Sequence, residues 1–273
     1  MQKLKLGMVG GGEGAFIGAV HRMAARLDGH WDLVAGCLSS TPEKAQRSAD
    51  SLGLERSYGS FEDMATAESA REDGIDAVSI VTPNHMHLPI ARAFLASGIH
   101  VICDKPLTTD LAQAEAFAQD CGGNDARFFL THNYSASPLI RQAKAMVETG
   151  ELGDVRLVHA EYLQDWLSRP ADPGNVQAAW RTDPARTGGA GAIGDIGTHA
   201  YPLATFVVGE PGSPPHAERG RAGSPSTGKA PPGTRPAISR ITSRDTPTDP
   251  TCARSVPVPV APRYHVPEFA CAK

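Results

Sequence analysis

The first 131 residues alternate between two spacings of apolar side chains. Short, nearly continuous apolar runs, which are typical of buried strands, occupy residues 4–10, 31–38, 76–81 and 100–104. Between the runs, apolar residues recur at helical spacing, as do Ile17, Val20, Ala24 and Leu27. Strands separated by helices of about ten to fifteen residues indicate βαβ crossovers and a parallel sheet covered on both faces. We therefore predict an α/β fold with a doubly wound parallel sheet in residues 1–131.

The pattern changes at residue 132. Residues 132–162 predict a helix, a turn at the sequence GELG and one long strand, and residues 198–208 predict a further helix. These elements predict the start of a second, α+β domain, in which one strand is recognisable. We place this partial domain at residues 132–209.

Residues 210–273 have a different composition from the rest of the chain. From Pro211 onward they contain 13 of the 22 prolines and carry a net charge of +5, whereas residues 1–210 carry −9. Neither helical nor strand spacing is recognisable, so we expect a disordered tail rich in Pro, Gly and Arg. Three interpretations stay open: a frameshift near residue 209, an authentic disordered appendage, and an assembly artefact.

Charge and cysteine content limit the possible partners. The formal net charge is −4, and no basic cluster occurs in the first two hundred residues, so the sequence favours small molecules over nucleic acid or membrane surfaces. No apolar run has the length of a membrane span, and the first residues lack a signal-peptide pattern, so we expect a cytoplasmic protein. The five cysteines are odd in number and show no CxxC spacing, which predicts neither a disulfide framework nor a metal site.

The turn after the first strand carries a glycine pattern. Gly10, Gly12 and Ala15 have the spacing G-x-G-x-x-[GA] and stand directly before a predicted helix. In such a turn the glycines let the backbone approach a pyrophosphate, and the small third residue lets helix and strand pack closely. The pattern predicts a Rossmann-type, dinucleotide-binding domain, and the alternative is a glycine-rich turn without a ligand.

The choice between NAD and NADP stays open. An acid at the end of the second strand would hold the ribose 2′-hydroxyl of NAD, but this chain has Ser39 and Ser40 there. These hydroxyls, with Lys44 and Arg47 nearby, could accept the 2′-phosphate of NADP. A helix cap followed by a solvated lysine explains the same residues without a ligand.

Three further motifs occur together with the glycine pattern. Thr82-Pro83-Asn84 ends one predicted strand, Asp104-Lys105-Pro106 ends the next, and Asp195 precedes His199 in a D-x-G-x-H pattern. Together the four motifs resemble the Gfo/Idh/MocA family of NAD(P)-dependent oxidoreductases over residues 4–208. The family usually has Glu before the lysine, so Asp104 is a conservative departure.

The resemblance implies roles for individual residues. Lys105 would bind the reacting oxygen, in a Lys-Pro bond that is usually cis in the family, His199 would be the base, and Asp195 would hold substrate hydroxyls or orient His199. The candidates for cofactor contact are Gly10, Gly12, Ala15, Ser39, Ser40, Thr82, Pro83, Asn84, His87, Asp104 and Lys105. The candidates for substrate contact are His132, Asn133, Trp180 and Arg181. His87 could instead cap its helix, and His21 is expected to be a helix residue without a role.

The function implied by the resemblance is hydride transfer between NAD or NADP and a sugar, inositol or related polyol. A non-catalytic nucleotide-binding protein or an inactive fragment is the alternative, since the second domain is incomplete. A flavodoxin-like or methyltransferase sheet would require the motifs to coincide by chance. Intact family members are commonly homo-oligomers through the second domain, so oligomerisation is in doubt for this chain.

Overall fold

The computed structural model describes two compact units. It describes residues 3–120, 125–165, 193–210 and 237–242, the last for their backbone alone, and residues 172, 174, 175, 178, 181 and 183. The first unit contains the residues up to Thr131 together with Asp183, and the second begins at His132.

A six-stranded parallel sheet forms the centre of the first unit. Its strands are β1 (Leu4–Gly10), β2 (Trp31–Cys37), β3 (Arg56–Ser57), β4 (Ala77–Val81), β5 (His100–Cys103) and β6 (Phe128–Leu130). The strand order is β3-β2-β1-β4-β5-β6, and every neighbouring pair is parallel. The sequence-based prediction of a doubly wound parallel sheet is confirmed. Successive strands are added on one side of β1 up to β3 and on its other side from β4 onward. Sheets of this type bind dinucleotides at such a switch in strand order, which here lies between β1 and β4.

Helices connect consecutive strands of this sheet. They are α1 (Phe16–Leu27), α2 (Pro42–Leu52), α3 (Phe61–Ser69), α4 (His87–Ala96) and α5 (Leu111–Asp120), and a short 3₁₀ helix (Asn84–Met86) precedes α4. All five residues of β4 are buried, as expected for a central strand covered on both faces. Phe94 of α4 is fully buried in the same core. Burial of such a side chain contributes about 1.5–3 kcal/mol.

Helix α1 packs unusually closely on the turn that precedes it. Gly11 has a φ of +73°, and a Cβ placed on Gly18 would lie 2.4 Å from the Gly11 Cα atom. Two backbones can approach this closely only where both positions lack a side chain. Gly18 therefore makes the closest approach, whereas Ala15, which the sequence pattern suggested for this contact, is the half-buried residue before the helix.

His87 joins the turns that follow β4 and β5. Its ring Nδ1 lies 2.7 Å from the carbonyl oxygen of Pro106, and its Nε2 lies 2.9 Å from that of Thr82. The side chain is only 1% exposed. Both contacts favour the protonated ring, but burial has the larger effect, so the pKa of His87 is lowered from its ordinary value.

The second unit contains both helices and strands. They are a 3₁₀ helix (Asn133–Ala136), α6 (Pro138–Glu148), β7 (Leu157–Glu161), a π-helix (Ile193–Gly197), α7 (Thr198–Val208) and β8 (Ala237–Thr242). Strand β8 pairs in parallel with β7. The prediction that no strand follows Glu210 is therefore wrong for one segment. The physical reason is that β7 offers unpaired backbone N–H and C=O groups, which a second extended segment satisfies.

Gly18→Ala should separate α1 from the glycine turn. The added methyl would meet backbone atoms of Gly11, so we expect a loss of about 1–3 kcal/mol in the free energy of unfolding. Urea unfolding measures this loss. Gly59→Ala is the matched control, because its Cβ would meet only Pro42 Cγ at 3.9 Å. An equal loss in both variants would contradict the close contact.

His87 should make the stability of the chain depend on pH. Its pKa in the folded state lies below the ordinary 6.5, so the unfolded chain binds more protons between the two values. The free energy of unfolding should therefore fall as the pH drops through 6.5 toward the lower folded value. Urea midpoints at several pH values should show a flatter dependence for His87→Gln, whereas the exposed control His30→Gln should follow the wild type. Parallel curves for all three proteins would refute the assignment.

Candidate cofactor and catalytic site

The predicted cofactor residues of the first unit lie at one edge of its sheet. Parallel strands all end on the same edge, and there β1, β2, β4 and β5 are followed by four predicted segments. These segments are Gly10 to Ala15, Ser39 with Ser40, Thr82 to His87, and Asp104 with Lys105. The edge therefore collects the glycine turn and the lysine motif around the point where the strand order reverses.

Two glycines of the motif, Gly10 and Gly12, have no space for a side chain. Gly10 has a φ of +81°, and a Cβ there would lie 2.9 Å from the side chain of Thr82. A Cβ on Gly12 would lie 2.5 Å from the carbonyl oxygen of Leu38. Arg22, on the second turn of α1, donates a hydrogen bond of 2.7 Å to the carbonyl oxygen of Gly11. The turn is thus held against the ends of β2 and β4 by contacts that only glycine permits.

Two observations on these residues fit a bound dinucleotide. Ala15, the residue before α1, makes no side-chain hydrogen bond to the helix, so the first amides of α1 are left for another acceptor. Within the described ranges, Thr82 Oγ1 is a buried hydroxyl without a hydrogen-bond partner. A buried polar atom of this kind ordinarily has a partner. The anion-accepting helix end and the unpaired hydroxyl are suited to the phosphate and hydroxyl groups of such a cofactor.

The end of β2 keeps both nicotinamide cofactors possible. Ser39 Oγ accepts a hydrogen bond of 3.2 Å from the backbone N–H of Thr41. Ser40 is exposed, and Lys44 is half-buried on α2. Thr41 precedes α2 as predicted, but its side chain makes no capping hydrogen bond to the helix. A local turn contact therefore positions Ser39, and no carboxylate stands where NAD specificity would place one.

Asp104 is the most constrained residue of the lysine motif. Its Oδ1 accepts a hydrogen bond of 3.0 Å from Thr131 Oγ1 and lies 3.5 Å from His21 Nε2. Burial by itself would raise the pKa of Asp104, but the hydrogen bond and charge of His21, the charge of Lys105 and the Thr131 hydroxyl together lower it. The carboxylate is thus held ionised directly before Lys105, and the Lys105–Pro106 bond is cis, as the resemblance implies.

The contacts of His87 exclude one of its two expected roles, the helix cap. As described above, both ring nitrogens contact backbone carbonyl oxygens, so the ring does not cap α4. It holds together the two turns that carry Thr82 and Lys105. Asn84, in the intervening 3₁₀ helix, is buried. The sequence signal for His87 was its place beside the T-P-N motif, but one of its two partners, Pro106, comes from a turn nineteen residues away.

The remaining catalytic and substrate candidates lie in the second unit. Asp195, in the π-helix, accepts a hydrogen bond of 2.7 Å from Arg181 Nε, and both side chains are largely buried. The ring of His199 packs edge to face against Tyr134 and Tyr162, at centroid distances of 4.9 and 5.5 Å. The two tyrosine hydroxyls lie 2.8 Å apart. Asp195 is thus held by an arginine, and His199 is oriented by aromatic contacts.

A small pocket in this unit adjoins His199. His132, Tyr134, Ser135 and Thr198 line it together with His199. Asn133 begins the 3₁₀ helix beside it. Trp180, the other residue predicted to contact substrate, lies outside the described residues. Catalytic candidates are therefore divided between the units, with Lys105 in the first and Asp195 and His199 in the second.

Sequence reasoning missed several residues that the structure makes important. They are Gly11, Gly18, His21, Ser79, Tyr134 and Tyr162. The sequence did indicate that Ser79 is special, because it is the one polar residue in the apolar run of β4. The indication for His21 was weaker: it follows Gly18 by three positions and therefore lies on the same face of α1. The tyrosines are separated by 28 positions and had no local signal.

The two cysteines that the structure describes, Cys37 and Cys103, are not activated. Burial raises the pKa of Cys37 to about 11 and also raises that of Cys103, so both remain thiols. In the part of the chain that the structure describes, no three His, Cys, Asp or Glu side chains form a metal-binding group. None of the helices described is both long and apolar enough to cross a bilayer.

Comparisons with known proteins agree with this geometry. Residues 4–132 match the family model described as oxidoreductase family, NAD-binding Rossmann fold, and residues 140–226 match the GFO/IDH/MocA C-terminal domain. A levoglucosan dehydrogenase from Pseudarthrobacter phenanthrenivorans is 31% identical over 77% of this chain and 52% of its own length. The chain spans about half the length of the curated relatives it matches.

Solved structures give the same result. An oxidoreductase from Sinorhizobium meliloti is 51% identical, with a TM-score of 0.65, over 76% of this chain and 53% of its own. An inositol dehydrogenase homolog from Azotobacter vinelandii, complexed with NAD⁺, is 38% identical, with a TM-score of 0.73, over 76% of this chain and 54% of its own. Two domain models of one family match in order along most of this sequence, and the sheet has the strand order of a dinucleotide-binding domain, so the chain belongs to the Gfo/Idh/MocA family of oxidoreductases.

Proposed function

We propose that this chain is an NAD(P)-dependent oxidoreductase that oxidises a carbinol group of a sugar, inositol or related polyol. The observation that carries the proposal is the common edge of the sheet, where the glycine turn and the Asp104-Lys105 motif follow strands on either side of the reversal point. Related proteins that act on levoglucosan, or that are named for inositol, support the substrate class.

Lys105 has the chemistry that the reaction requires. A bound nicotinamide cofactor would accept the hydride from the carbinol carbon. As the hydride leaves, negative charge develops on the oxygen, and a cationic amine close to that oxygen stabilises it. The residues on both sides of Lys105 are fixed. Thr131 and His21 contact the side chain of Asp104, and His87 contacts the carbonyl oxygen of Pro106. The lysine side chain therefore extends from a rigid main chain.

His199 and Asp195 are proposed to handle the proton and the neighbouring hydroxyl groups. Neutral imidazole can take the hydroxyl proton, and the edge-to-face contacts with Tyr134 and Tyr162 restrict the ring to one orientation. Asp195 is held in place by Arg181, and a carboxylate is a suitable acceptor for hydrogen bonds from substrate hydroxyls. Polyols present several adjacent hydroxyls, which suits such a carboxylate.

A second candidate function is nucleotide binding without catalysis. It is favoured by one observation, namely that all the predicted cofactor residues lie in the first unit, whereas Asp195 and His199 lie in the second. Titration with NADH and NADPH, followed by assays with a panel of inositols and sugars, separates the two functions. Binding with turnover supports the dehydrogenase, and binding without turnover supports the second function.

Lys105→Met should abolish turnover and leave cofactor binding intact. Loss of the cation that contacts the reacting oxygen should lower kcat by about 10²- to 10⁴-fold. Fluorescence titration with NADH should give a dissociation constant within about twofold of the wild-type value, because the glycine turn is untouched. The exposed Lys3→Met is the control for loss of a positive charge and should keep full activity. Undiminished turnover in Lys105→Met would eliminate the proposed role.

Ser39→Asp should shift cofactor preference toward NAD. A carboxylate at the end of β2 can accept from the ribose 2′-hydroxyl of NAD but repels the 2′-phosphate of NADP. We expect the affinity for NADPH to fall by about tenfold or more relative to NADH. Ser69→Asp, on the exposed end of α3, adds the same charge elsewhere and should leave the ratio unchanged. If the ratio is also constant in Ser39→Asp, this turn does not contact the adenosine ribose.

A further inference from the structure

His21 connects α1 to the central strand of the sheet. Its ring Nδ1 lies 2.8 Å from Ser79 Oγ, and Ser79 is 2% exposed in the middle of the otherwise apolar β4. A buried hydroxyl without a partner is destabilising, so this contact helps to keep a serine there. His21 is therefore anchored at one nitrogen to the floor of the sheet.

The other nitrogen of His21 faces the residue before Lys105. His21 Nε2 lies 3.5 Å from Asp104 Oδ1, and the two side chains are only 12% and 18% exposed. The same oxygen accepts the Thr131 hydroxyl from the end of β6. Elements from three separate parts of the chain thus meet at one carboxylate: α1, the end of β5 and the end of β6.

The main chain of Asp104 is fixed as well as its side chain. Its backbone N–H donates to the carbonyl oxygen of Ile80 at 2.9 Å, which continues the pairing of β5 with β4. On the other side of Lys105, the carbonyl oxygen of Pro106 contacts His87. Lys105 therefore projects from a segment held at both ends, and His21 supplies the contact that comes from the helix whose N-terminus faces the cofactor site.

Histidine suits this position in either protonation state. A neutral ring with hydrogen on Nε2 donates to Asp104 and accepts from the Ser79 hydroxyl at Nδ1. A protonated ring donates at both nitrogens, and the hydroxyl turns to accept. In both states a donor faces the Asp104 carboxylate, which no aliphatic residue could provide.

We propose that His21 is a positioning residue that acts through Asp104 to fix the direction in which Lys105 projects. The proposal rests on the proposed function of Lys105. It assigns a role to a histidine that contacts neither substrate nor the reacting atoms. It also links the helix that faces the cofactor phosphates to the segment that carries the catalytic amine.

Three variants of the full chain test this role. His21→Leu removes both polar contacts with little change in side-chain volume, His21→Gln restores a donor toward Asp104, and the exposed His30→Leu is the matched control. Steady-state kinetics should show a kcat about 10- to 100-fold lower for His21→Leu, with the KM for the cofactor changed by less than about twofold. His21→Gln should recover most of kcat, and His30→Leu should match the wild type. Equal loss in His21→Gln and His21→Leu, or no loss in either, overturns the proposal.

A measurement that does not depend on turnover separates this proposal from the function itself. Carboxyl ¹³C NMR titration, assigned with Asp104→Asn, should show a higher pKa for Asp104 in His21→Leu than in the wild type, since the contact with His21 lowers it. The backbone amide signal of Lys105 should also shift. If the wild-type chain turns over no polyol, the proposed function fails, and the NMR result alone decides the role of His21. An unchanged Asp104 pKa and an unmoved Lys105 signal would overturn it.

Discussion

The cofactor edge of the first unit depends on the close approach of α1 to the glycine turn. Gly11 and Gly18 bring two backbone segments into contact, and no side chain could be accommodated at either position. This approach points the N-terminal amides of α1 at the turn. It also brings the next residues on the same helix face, His21 and Arg22, within reach of β4 and of the Gly11 carbonyl oxygen. One packing contact thus positions both the N-terminus of α1 at the glycine turn and the polar side chains of His21 and Arg22.

Buried polar side chains hold the turns at the carboxyl edge of the sheet. Parallel strands stop there and leave backbone carbonyl groups without strand partners, and a loop of ordinary composition would leave them to water. In this chain His87 contacts two such carbonyls, and Asp104 receives donors from α1 and β6. The lysine between these anchors is therefore carried by a segment whose conformation is fixed by side chains rather than by strand pairing.

The second unit orients its candidates by different means. An arginine and a carboxylate form a largely buried pair at Asp195, and a buried charge of this kind is tolerated because it has an opposite charge and a hydrogen bond. His199 is held by two tyrosine rings, which also contact each other through their hydroxyls. Edge-to-face aromatic contacts add about 0.5–1.5 kcal/mol beyond simple burial, enough to favour one ring orientation.

The sequence was sufficient for the features that local chemistry decides. Apolar spacing predicted the strands and helices of the first unit. Glycine spacing identified the turn after β1, and three short motifs indicated the family. The roles that these motifs imply for Lys105, Asp195 and His199 stay predictions. It failed for residues 237–242, because strand formation there depends on pairing with β7 and leaves little trace in a proline-rich composition.

The tertiary structure decided which distant residues meet. His21 and Asp104 are separated by 83 positions, and His87 and Pro106 by 19, so no periodicity along the chain could connect them. Parallel strand order makes these contacts, because it places the ends of β4, β5 and β6 side by side only after two crossovers. Sequence patterns specify which elements form and which side chains have reactive chemistry, whereas the partners that hold those side chains are fixed by how the elements pack.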